Sequence, residues 1–207
     1  MRFVQKWSYS CARHLALALN ENHNRKSIYY YGFYIVLSTL VKGIILVSTS
    51  LLLGTLAPSL LILLVFGSLR LVAGGYHFDT YGKCLLVSLA LILLGACISR
   101  YTYTYWSTPA IVMLLLAVFA FSLSMLIRYA PKDTPTKPIT DPAAIMKYKR
   151  LSIVYLGILL VLCCILTVFK LNMHIIAICT GILLEVFSIT PTGHRFFNKI
   201  KVSLSKR

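Results

Sequence analysis

The sequence predicts an all-α integral membrane protein with about six transmembrane helices and an N-terminal amphipathic helix at the membrane surface. Of the 207 residues, 58% are hydrophobic and only 13% are charged, and the mean hydropathy is +0.81. A soluble domain is less apolar than this. The hydrophobic residues also cluster in runs that are long enough to cross a bilayer. We therefore expect residues 1–207 to form a single membrane domain.

The charge of the chain is strongly positive. Its 21 basic and 5 acidic residues give a formal net charge of +16. In a soluble protein such an excess would suggest nucleic acid as a partner. In a membrane protein, however, Lys and Arg collect in cytoplasmic loops and near anionic headgroups. We therefore expect the lipid bilayer to be the partner of these charges, and no nucleic acid.

Residues 1–26 are expected to form an amphipathic cytoplasmic helix followed by a polar link. Apolar side chains such as Phe3, Trp7 and Cys11 recur at spacings of three and four, with basic residues placed between them. The segment is too polar to span a bilayer, so the helix should lie in the plane of the membrane interface. The alternative is that it packs against the cytoplasmic face of the protein itself.

Residues 27–128 contain four apolar runs, which we interpret as spans one to four. Tyrosines open the first run, and Pro58 is expected to break the helix between the first and the second. The predicted spans cover about 28–57, 58–73, 84–99 and 109–128. Since the second and third runs are short, four full spans in the whole chain with two re-entrant segments is an alternative.

Residues 129–150 are expected to form a basic, proline-rich cytoplasmic loop, and residues 151–190 should hold spans five and six. A tight turn at residues 170–172 separates these two apolar runs. Pro191 and Gly193 are expected to end the sixth span. Residues 191–207 would then form a basic tail.

The distribution of basic residues predicts the orientation in the membrane. With six spans, 18 of the 21 basic residues lie on the side of the chain termini, the loop at residues 70–84 and the loop at residues 129–150. Arg100 and Lys170 lie on the other side, and Lys42 lies within a span. Because cytoplasmic loops are rich in Lys and Arg, we expect both termini and the 70–84 loop to face the cytoplasm.

Two ionisable residues, Lys42 and Glu185, lie inside apolar runs. A charge within a span commonly marks a functional site or faces a wet interior. One alternative is that the two side chains pair and neutralise each other at membrane depth. Alternatively, Lys42 extends to the membrane surface from a bend at Gly43, and Glu185 faces a wet cavity or touches headgroups.

The candidate site is the polar segment 70–84, which contains His77 and Cys84. A thiol is a good nucleophile only as the thiolate, and a nearby imidazole commonly accepts its proton. Cys84 also opens the next apolar run, where unpaired backbone N–H groups of a helix favour negative charge. This combination suggests a cysteine peptidase or acyltransferase. The alternative is a plain connecting loop.

The spacing of the two residues requires the segment to fold back on itself. Seven positions along one straight helix would separate His77 from Cys84 by about 10 Å, too far for direct proton transfer. Gly74 and Gly75 allow a sharp turn. Asp79 is either a third member that orients His77 or an ordinary turn residue. These residues do not have the spacing of a metal site, so we expect no metal and no cofactor.

Two signatures in the chain resemble those of the accessory gene regulator protein B (AgrB) family. Arg70, the run Gly74-Gly75-Tyr76-His77 and then Cys84 resemble the first signature. Residues 130–134 and 137–139 resemble the second, in a loop between later spans. Members of this family are membrane cysteine peptidases that process quorum-sensing propeptides. The chain departs from the family pattern at Phe78 and Thr136.

The resemblance implies a specific activity. Cys84 would attack the propeptide, His77 would act as base and acid, and the C-terminal tail would leave with an acyl-thioester on the enzyme. A nucleophile within the peptide would then close a thiolactone or lactone ring. The remaining candidate site residues, of which Asp79 and Lys83 follow from their positions beside His77 and Cys84 rather than from the resemblance, are expected to shape the site or bind substrate: Arg70, Gly74, Gly75, Asp79, Lys83, Lys132 and Lys137.

The resemblance also implies partners and a location. The substrate would be a membrane-associated propeptide with an acidic C-terminal tail, the location a bacterial plasma membrane, and a homodimer would fit the family. The alternative function is a small multi-spanning peptide permease or exporter, in which Lys42 and Glu185 line a pathway and no covalent step occurs.

Overall fold

A computed structural model describes residues 2–19, 21, 23–76, 78, 80–132 and 141–204. This part of the chain forms eight α-helices and a short 3₁₀ turn at Tyr103–Tyr105. The helices are α1 (Arg2–Ala18), α2 (His23–Leu52), α3 (Leu56–Ala73), α4 (Tyr81–Thr102), α5 (Thr108–Tyr129), α6 (Pro142–Val168), α7 (Asn172–Ile189) and α8 (Pro191–Ser203). Helices α2 to α7 are long and apolar enough to cross a membrane. The predicted all-α membrane fold with six spans is confirmed.

Helix α7 lies at the centre of the bundle. In the most apolar 18-residue segment of α7, 61% of the residues are buried, against 33% or less in the corresponding segments of the other five spans. It packs against α3, α4, α5 and α6, and its buried side chains point in all directions around its axis. A helix that is apolar all round is stable in such a central position. The other spans keep an apolar outer face for lipid.

The first loop differs from the prediction. Helix α2 ends at Leu52 rather than near residue 57, and the chain turns through Gly54, whose φ of 62° is in the left-handed region. Pro58 does not break a helix, because it lies in the first turn of α3, where its missing N–H has no helical partner in any case. The prediction for Pro58 was therefore wrong.

Helix α6 begins at Pro142, about nine residues earlier than predicted. Asp141 caps it by accepting hydrogen bonds from the backbone N–H groups of Ala143 (3.0 Å) and Ala144 (3.3 Å). Residues 142–150, predicted to be loop, are therefore helical. Proline at the first position of a helix marks its start rather than an irregular segment.

The described part of the predicted basic tail is mostly helical, from Pro191 to Ser203. Thr190 ends α7, and its side chain accepts a hydrogen bond from the N–H of Gly193 (3.1 Å), so it caps α8. Pro191 occupies the first helical position, as in α6. Phe197 is buried, while Arg195 and other polar residues of α8 are exposed. The prediction that the sixth span ends here was confirmed, but the segment after it is an amphipathic helix.

Helix α1 packs along α2. Val4, Ala12 and Ala16 are buried in this contact, whereas Phe3 and Trp7 on the other side are 66% and 56% exposed. Of the two alternatives for this segment, packing on the protein is observed. The exposed aromatic side chains remain available for the membrane interface.

The helices alternate in direction, so the loops lie at two ends. At one end, Lys83 contacts Lys201, and a backbone bridge joins Gly74 to Lys132. We call this end the site end, because it also holds Cys84. At the opposite end, Tyr101 donates a hydrogen bond to the carbonyl of Leu53 (2.8 Å).

Candidate active site

Cys84 lies in the first turn of α4, at the site end. The helix begins three residues earlier, and the backbone N–H of Cys84 donates to the carbonyl of Thr80 (3.1 Å). The side chain is partly buried and lines a cavity of about 430 Å³. The cavity walls come from α2, α3, α4, α7 and α8. Its deep part is apolar, lined by residues such as Leu46, Leu63 and Ile92.

The polar part of the cavity contains Lys42, Arg70 and Ser188 beside Cys84. The ammonium nitrogen Nζ of Lys42 lies 3.5 Å from Sγ of Cys84. Lys83, which the sequence placed next to the thiol, instead donates from its Nζ to the carbonyl of Lys201 on α8 (3.3 Å). The cation that contacts the thiol therefore comes from α2.

Glu185 pairs with Arg70 rather than with Lys42. The carboxylate is fully buried, and its Oε2 lies 3.3 Å from Nη1 of Arg70. The same guanidinium donates from Nη1 to the hydroxyl of Ser188 (3.4 Å) and from Nη2 to the carbonyl of Tyr76. The suggested Lys42–Glu185 pair was therefore wrong. Arg70 links α7 to the backbone that follows α3, so it holds the start of the 74–80 loop in place.

The two glycines of the loop are required by the backbone and by close packing. Gly74 and Gly75 have φ values of 78° and 138°, which disfavour other residues. A Cβ atom on Gly74 would lie 2.0 Å from the carbonyl oxygen of Lys132, and one on Gly75 would lie 2.4 Å from Oγ of Ser188. Any larger side chain would displace these neighbours.

Lys132, in the described part of the second signature (residues 130–132), lies directly against this loop. The N–H of Gly75 donates to the carbonyl of Lys132 (3.3 Å), and the N–H of Lys132 donates to the carbonyl of Ala73 (2.8 Å). Lys132 therefore contributes backbone to the site, while its side chain is exposed. The structure thus joins residues that are nearly sixty positions apart in the chain.

Helix α8 covers the same loop with aromatic side chains. The ring of Phe197 stacks on Tyr76 at 5.3 Å and contacts Phe78 at 5.8 Å. The hydroxyl of Tyr76 also donates to Asn198 (2.8 Å). His194 lies against Tyr76, and burial, together with the nearby charges of Lys132 and Arg70, lowers the pKa of its imidazole.

The sequence analysis missed the residues of α8. The signal for them was present, since Thr190 followed by Pro191 is a typical helix start, with Phe197 and Ile200 at a helical spacing after it. It was interpreted as the end of α7 only. The Lys42–Cys84 contact had no such signal, because it joins two helices through tertiary packing.

Three predicted site residues, His77, Asp79 and Lys137, lie outside the described residues. Their predicted roles therefore stay predictions. Within the described ranges, no three His, Cys, Asp or Glu residues are grouped so that they could hold a metal ion. All six cysteines are described, and each is a free thiol.

Together, these features define a multi-pass helical membrane protein with a cysteine and cationic side chains at the polar end of a cavity between its spans. Residues 8–189 match the model of the family Accessory gene regulator B, and the chain belongs to that family. Membership links the protein to accessory gene regulator signalling, a form of quorum sensing. The match ends just before α8.

Curated relatives are similar over most of their length. A putative AgrB-like protein of Clostridium perfringens (strain SM101) is 27% identical over 158 residues, which is 76% of this chain and 74% of that protein. The accessory gene regulator protein B of Staphylococcus intermedius is 26% identical over 182 residues, which is 86% of this chain and 90% of that protein. A putative AgrB-like protein of Listeria innocua is 25% identical over 169 residues, 82% of this chain and 78% of that protein. No solved structure matches the chain significantly.

Proposed function

We propose that this protein is a membrane cysteine endopeptidase that removes the C-terminal tail of an autoinducer propeptide and supports cyclisation of the remaining peptide. The observation that carries the proposal is the position of Cys84 at the polar end of a cavity whose walls are otherwise largely apolar. A membrane-associated peptide can enter such a cavity from the bilayer. Its scissile carbonyl then lies next to the thiol.

The first half of the reaction forms an acyl-enzyme. His77 accepts the proton of the Cys84 thiol, and the thiolate attacks the carbonyl carbon of the scissile peptide bond. When the tetrahedral intermediate collapses, the C–N bond breaks and His77 returns the proton to the leaving amine. The tail departs as a free peptide, and the N-terminal fragment remains on Cys84 as a thioester.

The second half transfers the acyl group to the peptide itself. A thiol or hydroxyl within the bound fragment loses its proton to His77 and attacks the thioester carbonyl. The bond to the sulfur of Cys84 breaks, the thiolate regains a proton, and a thiolactone or lactone ring is released. The ring-closing step itself needs no external energy source, because exchanging the enzyme thioester for a thiolactone or lactone is close to balanced or favourable.

The start of α4 favours this chemistry. Cys84 lies in the first helical turn, where backbone N–H groups and the helix dipole stabilise negative charge on the thiolate and on the developing oxyanion. The largely apolar walls limit the access of water to the acyl-enzyme. Both effects support ring closure over simple hydrolysis.

Substrate recognition in this proposal combines the bilayer with basic residues at the site end. The exposed side chain of Lys132 and the predicted role of Lys137 suit a propeptide with an acidic tail. We further propose that the site end faces the cytoplasm, because 18 of the 21 basic residues lie on that side in the six-span topology. A newly made propeptide is available there.

Loss of the thiol tests the proposal. In cells that co-express the propeptide, Cys84→Ala should abolish tail cleavage, and Cys84→Ser should lose most of it, because a hydroxyl ionises far less readily than a thiol. Cys164→Ala is the matched control, since Cys164 is exposed on α6 and does not line the cavity. Mass spectrometry of the peptides measures the cleavage. A permease without covalent chemistry would not depend on Cys84, so unchanged processing by Cys84→Ala would favour that function.

A further inference from the structure

Lys42 is an ionisable residue of a membrane span for which the two signatures suggest no role. Its ammonium lies 3.5 Å from Sγ of Cys84, although the two residues are 42 positions apart and on different helices. We infer that Lys42 is a further catalytic residue, whose positive charge stabilises the thiolate of Cys84 before it attacks the substrate. This inference rests on the proposed role of Cys84 as the nucleophile.

The charge of Lys42 is not neutralised by a carboxylate of the described part of the chain. Glu21 lies 3.9 Å from Arg25, Asp141 caps α6, and Glu185 binds Arg70. The ammonium of Lys42 contacts the sulfur of Cys84 and the ring of Tyr81. Among the described residues, no carboxylate therefore competes with the thiolate for this ammonium.

Tyr81 holds this ammonium in position. Its ring centroid lies 4.8 Å from Nζ of Lys42, within the range of a cation–π contact. Its hydroxyl donates to the carbonyl of Ser38 (2.6 Å), one helical turn before Lys42 on α2. Tyr81 lies three residues before Cys84, so one side chain fixes α2 against the start of α4. The cation is thereby positioned before any substrate binds.

The location of Lys42 strengthens its effect. The side chain lines the cavity and is partly buried, and charges interact more strongly there than in open water. A charge within a span is costly and commonly serves function. A cation at this distance therefore attracts the negative charge of the attacking sulfur more strongly than it would in open water.

Two other described cations near the thiol, Arg70 and Lys83, bind other groups. Arg70 is bound by Glu185, Ser188 and the carbonyl of Tyr76, and Lys83 donates to Lys201. The groups facing this region from the packed helices are Tyr34 and Lys42 on α2, Arg70 on α3, Tyr81 and Lys83 on α4, Glu185 on α7, and His194 on α8. His77, outside the described residues, is the proposed proton acceptor and acts together with Lys42.

The inference is tested by alkylation of Cys84 with iodoacetamide, a neutral reagent, on the full-length protein in membranes. Mass spectrometry resolves the rate at Cys84 relative to Cys11 on α1, which serves as an internal reference. At neutral pH, Lys42→Met should slow alkylation of Cys84 by about tenfold, because the sulfur loses the positive charge beside it. Lys42→Arg keeps the charge and should retain most of the rate. Lys170→Met, an exposed lysine at the opposite end, should alkylate like the unmodified protein.

Cleavage of the co-expressed propeptide should fall in parallel with alkylation in Lys42→Met. If Lys42→Met alkylates at the unmodified rate across the pH range, or if Lys42→Arg loses as much as Lys42→Met at equal protein level, the inference is wrong. The proposed function would still stand in either case, provided that Cys84→Ala abolishes cleavage. Normal cleavage by Cys84→Ala would overturn both.

Discussion

At the scale of single residues, the packing around Gly75 connects the loop to the buried ion pair. A Cβ atom there would lie 3.0 Å from Nη1 of Arg70 and 3.0 Å from Oε1 of Glu185, in addition to the clash with Ser188. The loop backbone therefore passes directly over a fully buried carboxylate. Removing one partner of such a pair generally costs about 3–5 kcal/mol, because the other charge remains buried without compensation. A substitution that moves the backbone at Gly75 should therefore also disturb the Arg70–Glu185 ion pair.

The first prediction follows from this contact. Gly75→Ala should lower the rate of propeptide cleavage by about tenfold or more at equal protein level, because the added methyl group displaces Ser188 and Arg70 and strains the backbone at a φ of 138°. Gly82→Ala is the matched control, since nothing lies within 4 Å of a Cβ atom at that position in α4. Peptide mass spectrometry, normalised to the amount of membrane protein, measures both. Equal activity of the two variants would contradict the packing described for Gly75.

At the scale of helices, α8 packs against the loop that precedes Cys84. Phe197 is only 6% exposed and contacts Tyr76 and Phe78 on one side and Phe187 of α7 on the other. The loop thus lies between α8 and the bundle. Its conformation depends on this amphipathic helix as well as on its own glycines.

A substitution in α8 should therefore affect a reaction at α4. Phe197→Ala should lower the free energy of unfolding by about 3–5 kcal/mol, as is typical for a buried Phe, and should reduce cleavage because the loop is released. Phe196→Ala removes a neighbouring ring that is 45% exposed, so it should have a much smaller effect on both. Thermal unfolding in detergent and the co-expression assay measure the two quantities. A stable Phe197→Ala protein with unchanged cleavage would show that α8 is not needed to hold the loop.

The elements also show what the sequence can and cannot predict. The six spans were predictable, because a bilayer requires long apolar runs. The short amphipathic helix α8 and the start of α6 were missed, because Pro191 and Pro142 were interpreted as interruptions rather than as first helical residues. The Arg70–Glu185 pair joins residues 115 positions apart. Such a contact depends on how the helices pack, and hydropathy carries no information about that.

At the scale of the whole molecule, the asymmetric distribution of basic residues predicts which side of the membrane the site end faces. Among the described basic residues, Lys132 after α5 and Lys201 of α8 lie at the site end, together with Cys84. Because Lys and Arg are retained on the cytoplasmic side during insertion, the site end should face the cytoplasm.

Cysteine labelling from either side of the membrane tests this orientation. A membrane-impermeant maleimide should label Cys84 in inverted vesicles and not in intact cells. Lys170→Cys places a reporter thiol in the exposed turn between α6 and α7, and it should show the reverse pattern. Labelling of Cys84 in intact cells would mean that the orientation is inverted.

The last prediction concerns the lifetime of the acyl-enzyme, which depends on the cavity as a whole. If water entered freely, the thioester would hydrolyse and release a linear acid. Apolar walls contributed by several helices around Cys84 instead limit access of water to the bond. A propeptide whose internal nucleophile is changed to alanine should therefore still lose its tail, but its N-terminal fragment should accumulate on Cys84 as an adduct that hydroxylamine cleaves. The adduct should be absent from Cys84→Ala and unaffected in Cys164→Ala. If free linear acid forms at the full cleavage rate and no adduct is detected, the protein is a simple protease, and ring closure must occur elsewhere.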